Sequence, residues 1–261
     1  MGLQIKRKTH VLEPDHQFHR AKTVRFAAPS AAINSLPRDI LVEILAKVAA
    51  SSFSDLYNAK LANKDFLGAA MDGHVLHHVL LRDLPVFSWW HGPKFSSFIE
   101  NCVKAGNPEA LFRMGMIQFF CRNEEASGLA NLKASGEKGH VEAAYVYGVI
   151  LYRQSKGEAG AEFLRRCESR GGERMTECRR RIKWFVWGMW VKNKSFLRED
   201  KEYLDRRRQS CCFEKECHMI KMMGWDWTDE ANCYGDDTCE RCKWNGEVSR
   251  FSNMLRTGGY N

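Results

Sequence analysis

The chain has 261 residues, 44% of them hydrophobic, which is material for a core and for one to three small domains. No stretch approaches the roughly 20 uncharged apolar residues of a membrane span. Lys6-Arg7-Lys8 has no apolar run behind it, which excludes a secretory leader, and Lys6 stands where a myristoylation signal has Ser or Thr. Cytosol or nucleus is the expected compartment, and a net charge of +8 admits acidic partners or nucleic acid.

Residues 1–32 mix charge, His, Pro14 and Pro29 without apolar periodicity and read as a disordered tail. A helical domain is expected over 33–85. Ile40, Leu41, Ile44, Leu45 and Val48 recur at helical spacing, Pro37 suits a first turn, and Asp39 suits the positive helix end. Further helices are expected over Ser54–Phe66 and Met71–Leu81. Residues 82–94 form a connector, in which Trp89 and Trp90 read as core filling.

Residues 86–208 hold an internal repeat. Gly106-Asn107-Pro108-Glu109-Ala110 matches Gly139-His140-Val141-Glu142-Ala143 at an offset of 33, which also carries Gly115 to Gly148, Phe119 to Tyr152 and Ala126 to Ala159. After a one-residue slip, Gly128 and Leu132 match Gly160 and Leu164. Such a period marks stacked helix-turn-helix units, with small residues where paired helices approach. Helices over Phe95–Ala105 and Glu173–Asn193 are expected as caps. In the second, Trp184, Trp187 and Trp190 read as a buried stripe with Phe185, and Arg179-Arg180-Arg181 as a solvated face. The run Arg206-Arg207-Arg208 reads in the same way.

Leu36-Pro37-Arg38-Asp39-Ile40-Leu41-Val42-Glu43-Ile44-Leu45 resembles the opening of the F-box. Ala59 to Phe66 keeps the spacing and Lys64 of that family's Val-Cys-Lys-x-Trp segment, with Ala62 in place of the Cys. The Gly106 to Met116 stretch is similar to the Sel-type repeats, relatives of tetratricopeptide repeats, found in a group of plant F-box proteins. The resemblance covers roughly residues 33–250. It implies a mainly α fold: a three-helix F-box, a helical-repeat array and a small Cys-rich tail. It implies a non-catalytic subunit of a ubiquitin ligase, docked on a Skp-type adaptor and a cullin core, that recruits a target protein. Leu36, Pro37, Ile40, Leu41, Ile44 and Leu45 would divide between the adaptor face and the internal core, and Asp39 and Glu43 would supply rim polarity.

Six of the ten cysteines crowd into 211–242, within a Cys-rich segment over 209–261. Cys239-x2-Cys242 presents two thiolates to one tetrahedral ion, and Cys212 and Cys217 are the best second pair for a single structural zinc. Cys211, Cys233 and His218 are substitutes. Cys102, Cys121, Cys167 and Cys178 are scattered and read as ordinary buried thiols. No phosphate loop, His-Glu-x-x-His or Gly-x-Ser-x-Gly is present. Two other readings stay open: a repeat scaffold in which residues 33–70 only cap the stack, and a zinc-dependent nucleic-acid binder using the basic 174–208 region.

Overall fold

Short polar side chains punctuate the N-terminal third into four helices. The Pro37 carbonyl accepts from the Ile40 and Leu41 N–H groups, both at 3.1 Å, and opens α1 (Arg38–Ser51). Ser52 accepts from the Asp55 N–H at 3.1 Å and opens α2 (Phe53–Ala62). Asn63 accepts from the Asp65 N–H at 2.9 Å and opens α3 (Lys64–Ala69). Asp72 does the same for His74 at 3.0 Å, opening α4 (Gly73–His78). The single helix expected over Ser54–Phe66 is therefore two. Asn63 breaks it because its side chain satisfies a backbone donor from an extended conformation.

The structure, a computed structural model, describes residues 36–84, 92–154, 157–168, 172–193, 196, 198 and 239–257. Every regular element among them is helical. None of these helices is long and apolar enough to cross a membrane. Trp89, Trp90 and Arg206-Arg207-Arg208 lie outside the described residues.

The first core joins Leu41, Leu45, Ala49, Leu56, Val75 and Leu76 to Ile99 and Cys102 of α5 (Pro93–Lys104). Burial pushes the Cys102 thiol up to about 12, which suits an inert buried thiol. Asn107 closes this core. Its amide donates to the carbonyls of Leu76, His77 and Val79 at 2.9–3.1 Å, while its oxygen caps α6 (Pro108–Met116) through the Ala110 N–H. One side chain thus ties the end of α4 to the first repeat.

The repeat is physical. α6 pairs with α7 (Glu125–Glu137), and α8 (Val141–Arg153) pairs with α9 (Gly157–Glu168). Each unit opens on a glycine with positive φ, Gly106 at 75° and Gly139 at 90°, which a side chain would strain. An N-cap follows in each, Asn107 and then His140. A Cβ on Gly115 would meet the Leu132 side chain at 2.8 Å; one on Gly148 would meet Leu164 at 3.0 Å. A Cβ on Gly128 would strike the Phe119 backbone at 2.7 Å, and one on Gly160 the Tyr152 backbone at 2.5 Å. The repeated glycines are the points where paired backbones touch.

The one-residue slip also has a structural basis. With Gly128 on Phe119 and Gly160 on Tyr152 in register, Ala126 and Ala159 fall out of step, and the extra residue of the first unit lies between Phe119 and Gly128, where α6 ends in a π-turn, Ile117–Cys121, and Asn123 takes a φ of 59°. A π-turn accommodates one residue more than an α-turn. The Phe119 and Phe120 carbonyls at this turn are met from afar: the Asn193 amide donates to Phe119 at 3.0 Å, and the Lys192 and Asn193 N–H groups donate to Phe120.

Two helices complete the second core. α10 (Gly172–Trp187) follows the repeats, and α11 (Glu240–Thr257) packs on α8 and α10 with Trp244, Val248, Phe251 and Leu255 buried. Two expectations are corrected here. Trp184, Trp187 and Trp190 are exposed, because the inward arc of the segment is supplied by Cys178, Ile182, Phe185 and Met189. Arg179 is buried against Glu247, and Arg181 is half-buried against Glu142 and Glu109, so only Arg180 of that run behaves as a solvated charge. Cys242 lies in the first turn of α11.

Candidate protein-interaction site

The apolar stripe of α1 is wider than one interface, and the fold divides it. Leu41 and Leu45 point into the first core at 7% and 2% exposure, with Ala46 and Ala49 beside them. Ile40 and Ile44, one turn apart, stay outside at 50% and 44%. Pro37 and Asp39 are exposed, and Leu36 is exposed as the one described residue of a separate unit, Met1–Leu36. Glu43 is exposed and held by the His74 Nε2 at 3.1 Å and the Lys47 Nζ at 3.8 Å. The eight sequence-chosen residues therefore comprise two core residues and six on the surface.

Further apolar side chains stand exposed on the same four-helix region. Tyr57, Leu61, Leu67 and Met71 are exposed, Leu61 at 70%. Tyr57 and Leu61 stand one turn apart on α2, and the Lys60 ammonium approaches the Met71 sulfur at 3.8 Å. Leu61 and Leu67 look like core positions by residue type. They lie on either side of the break at Asn63, and both are exposed. An exposed group of large apolar side chains on a folded helical unit is the usual mark of a protein-docking face.

A charged junction fixes this unit to the repeats. Arg113 is buried and donates to the Leu81 and Leu84 carbonyls at 2.5 and 3.2 Å and to Glu109 at 2.8 Å. Glu109 also meets His140 Nε2 at 2.8 Å and Arg181 at 3.3 Å, and Arg181 reaches Glu142 at 2.5 Å. His140 stacks on Phe112 at 4.8 Å. Glu109, His140, Glu142 and Arg181 line an open groove of about 400 Å³ together with His77, His78 and Arg82. Burial alone would raise the Glu109 carboxyl, but the His140 hydrogen bond and the Arg113 charge hold it well below the usual carboxylate range.

A folded-state value below the unfolded one, ~4.3, gives stability that is present above that pH and is lost as the pH falls below it. Glu109→Gln is expected to lower the urea midpoint at pH 7 and to flatten its decline between about pH 5 and 2. Parallel declines for the two proteins would contradict the assignment.

His77 Nδ1 meets the Ala105 carbonyl at 3.1 Å, and Cys102 is fully buried. At the other end of the chain, Cys239 and Cys242 are half-buried, and the Cys242 N–H donates to Cys239 Sγ at 3.5 Å. That turn holds two thiols at the start of α11. Cys212 and Cys217 lie outside the described residues, as do Cys211, Cys233 and His218; among the described residues no group of three or more His, Cys, Asp and Glu is gathered for a metal.

The paired helices and their glycine contacts form an α-helical repeat region. Residues 81–187 match the family of plant tetratrico peptide repeats. The Arabidopsis thaliana protein At1g67623, provisionally named an F-box protein, is 29% identical over 232 residues, 85% of this chain and 78% of its own length. The Arabidopsis F-box protein At1g67340 is 29% identical over 51% of this chain, which spans 36% of that relative. The Arabidopsis F-box protein At2g35280 is 28% identical over 52% of this chain and 83% of its own. No solved structure matches the chain significantly. The chain thus carries a plant repeat region and resembles F-box proteins of Arabidopsis.

Proposed function

We propose that this chain is a non-catalytic F-box subunit of a cullin-type ubiquitin ligase, acting in the cytosol or nucleus. It docks on a Skp-type adaptor through the outward side of α1 and its neighbours, and recruits a target protein through the repeats or the C-terminal region. The observation that carries this is the division of α1: Ile40 and Ile44 are exposed while Leu41 and Leu45, on the same helix, are buried. A folded helix that keeps its inward side and leaves a large apolar ridge outside suits insertion into a hydrophobic groove. Ubiquitin transfer belongs to other subunits. The test is co-purification of the full chain with a Skp-type adaptor. Stoichiometric retention supports the reading, and absence of binding by folded protein removes it.

A second reading has its own support. The first core includes Ile99, Cys102 and Ala110, so α1–α4 also cover the end of the repeat stack, as the cap of a scaffold without ligase role would.

The zinc site is likewise a proposal. Cys239 and Cys242 offer half a tetrahedral thiolate set from one turn, to be completed by Cys212 and Cys217. Chain purified without chelator is expected to hold about one zinc per molecule by elemental analysis. Near-zero zinc in folded material would contradict it.

A further inference from the structure

Three indoles stand outside the second core where α10 ends. Trp184 and Trp190 are 67% and 72% exposed, Trp187 is 49% exposed, and the Trp184 and Trp187 rings meet edge to face at 5.3 Å. The packing of α10 does not need them, since Cys178, Ile182 and Phe185 fill its inward arc and Met189 is buried just beyond its end. Cations border the indoles at both ends. The Lys183 ammonium lies 4.9 Å over the Trp187 ring, and Arg180 is solvated beside Glu177. Beyond Trp190, the Lys192 N–H donates to the Phe120 carbonyl at 2.7 Å, two residues before Arg122, and Lys192 and Arg122 are both exposed.

We infer that this face docks an acidic, apolar peptide segment of the target protein. The inference rests on the receptor reading only for calling that protein a target. Clustered exposed tryptophans are the side chains that most often anchor protein interfaces, and a cationic border attracts and orients a carboxylate-rich chain. Base stacking fits less well. It needs open ring faces, whereas Trp187 is covered by Lys183 on one face and met by the Trp184 ring.

The test is fluorescence anisotropy of the full chain with a labelled short peptide of alternating Glu and Leu, and with a matched peptide carrying Gln for Glu. The acidic peptide is expected to bind and to weaken as salt rises. Trp184→Ala with Trp187→Ala is expected to weaken it about tenfold or more, with an unchanged circular dichroism spectrum. Ile40→Asp with Ile44→Asp is expected to leave it unaltered. Equal affinity of the tryptophan variant, or equal binding of the Gln peptide, overturns the inference. So does tighter binding of a single-stranded RNA that the same variant loses, or self-association that it abolishes. Peptide binding by a chain that fails to hold the adaptor upholds the docking face and removes only the receptor reading.

Discussion

Ile40→Asp combined with Ile44→Asp is expected to abolish retention of a Skp-type adaptor while the chain stays folded. Both side chains are about half exposed and line the outward side of α1, so their replacement removes little from the first core. Surface changes of this kind usually alter stability by less than ~0.5 kcal/mol. In a complex, however, each Asp would put an unpaired charge into an apolar groove. Even ~2 kcal/mol for each amounts to about a thousandfold in affinity. Leu41→Ala with Leu45→Ala acts the other way. Each removes a buried side chain at ~2–5 kcal/mol, so the N-terminal unit should unfold before any effect on docking can be read. Adaptor titration and urea unfolding of both variants separate the two sides. A double Asp variant that binds like the parent chain would remove α1 from the interface.

The second large effect concerns α11. Glu247 is fully buried, accepts a hydrogen bond from the Tyr145 hydroxyl at 2.6 Å and pairs with Arg179, itself 5% exposed. Three elements meet at that carboxylate: α8, α10 and α11. Glu247→Ala leaves the guanidinium buried without its counter-charge, and such a loss is expected to destabilise the chain by about 3–5 kcal/mol. Replacing both partners, as Arg179→Met with Glu247→Leu, should recover much of that, because a buried pair exchanged for apolar volume is often close to neutral. Denaturant unfolding reads both. A Glu247→Ala chain within ~1 kcal/mol of the parent would show that α11 contributes little to the repeat core.

What the sequence made legible was local or periodic. The 33-residue offset pointed to Gly115 and Gly148 as helix contacts, and the structure places each against the Leu of its partner helix. Leu36 to Leu45 announced a wide amphipathic helix, but the width of the stripe concealed which isoleucines face out. The tryptophans show why periodicity alone fails. Trp184, Trp187 and Trp190 run at i, i+3 and i+6, yet Cys178, Ile182, Phe185 and Met189 run at i, i+4, i+7 and i+11 in the same segment. Two apolar arcs compete there, and the packing of α10 against α8, α9 and α11 decides between them. α11 carries the same readable period in Trp244, Val248, Phe251 and Leu255, but Cys239 and Cys242 draw attention to metal instead of helix. The pairing of Arg179 with Glu247 spans 68 residues, and the Asn193 bonds to the π-turn are as distant. No local pattern encodes them.

Backbone amide exchange of the free chain and of the chain with purified Skp-type adaptor tests the divided helix most directly. Added protection should fall on the first turns of α1 and on 57–71, with α6 to α9 unchanged. Protection confined to the repeats, or none at saturating adaptor, would contradict the account.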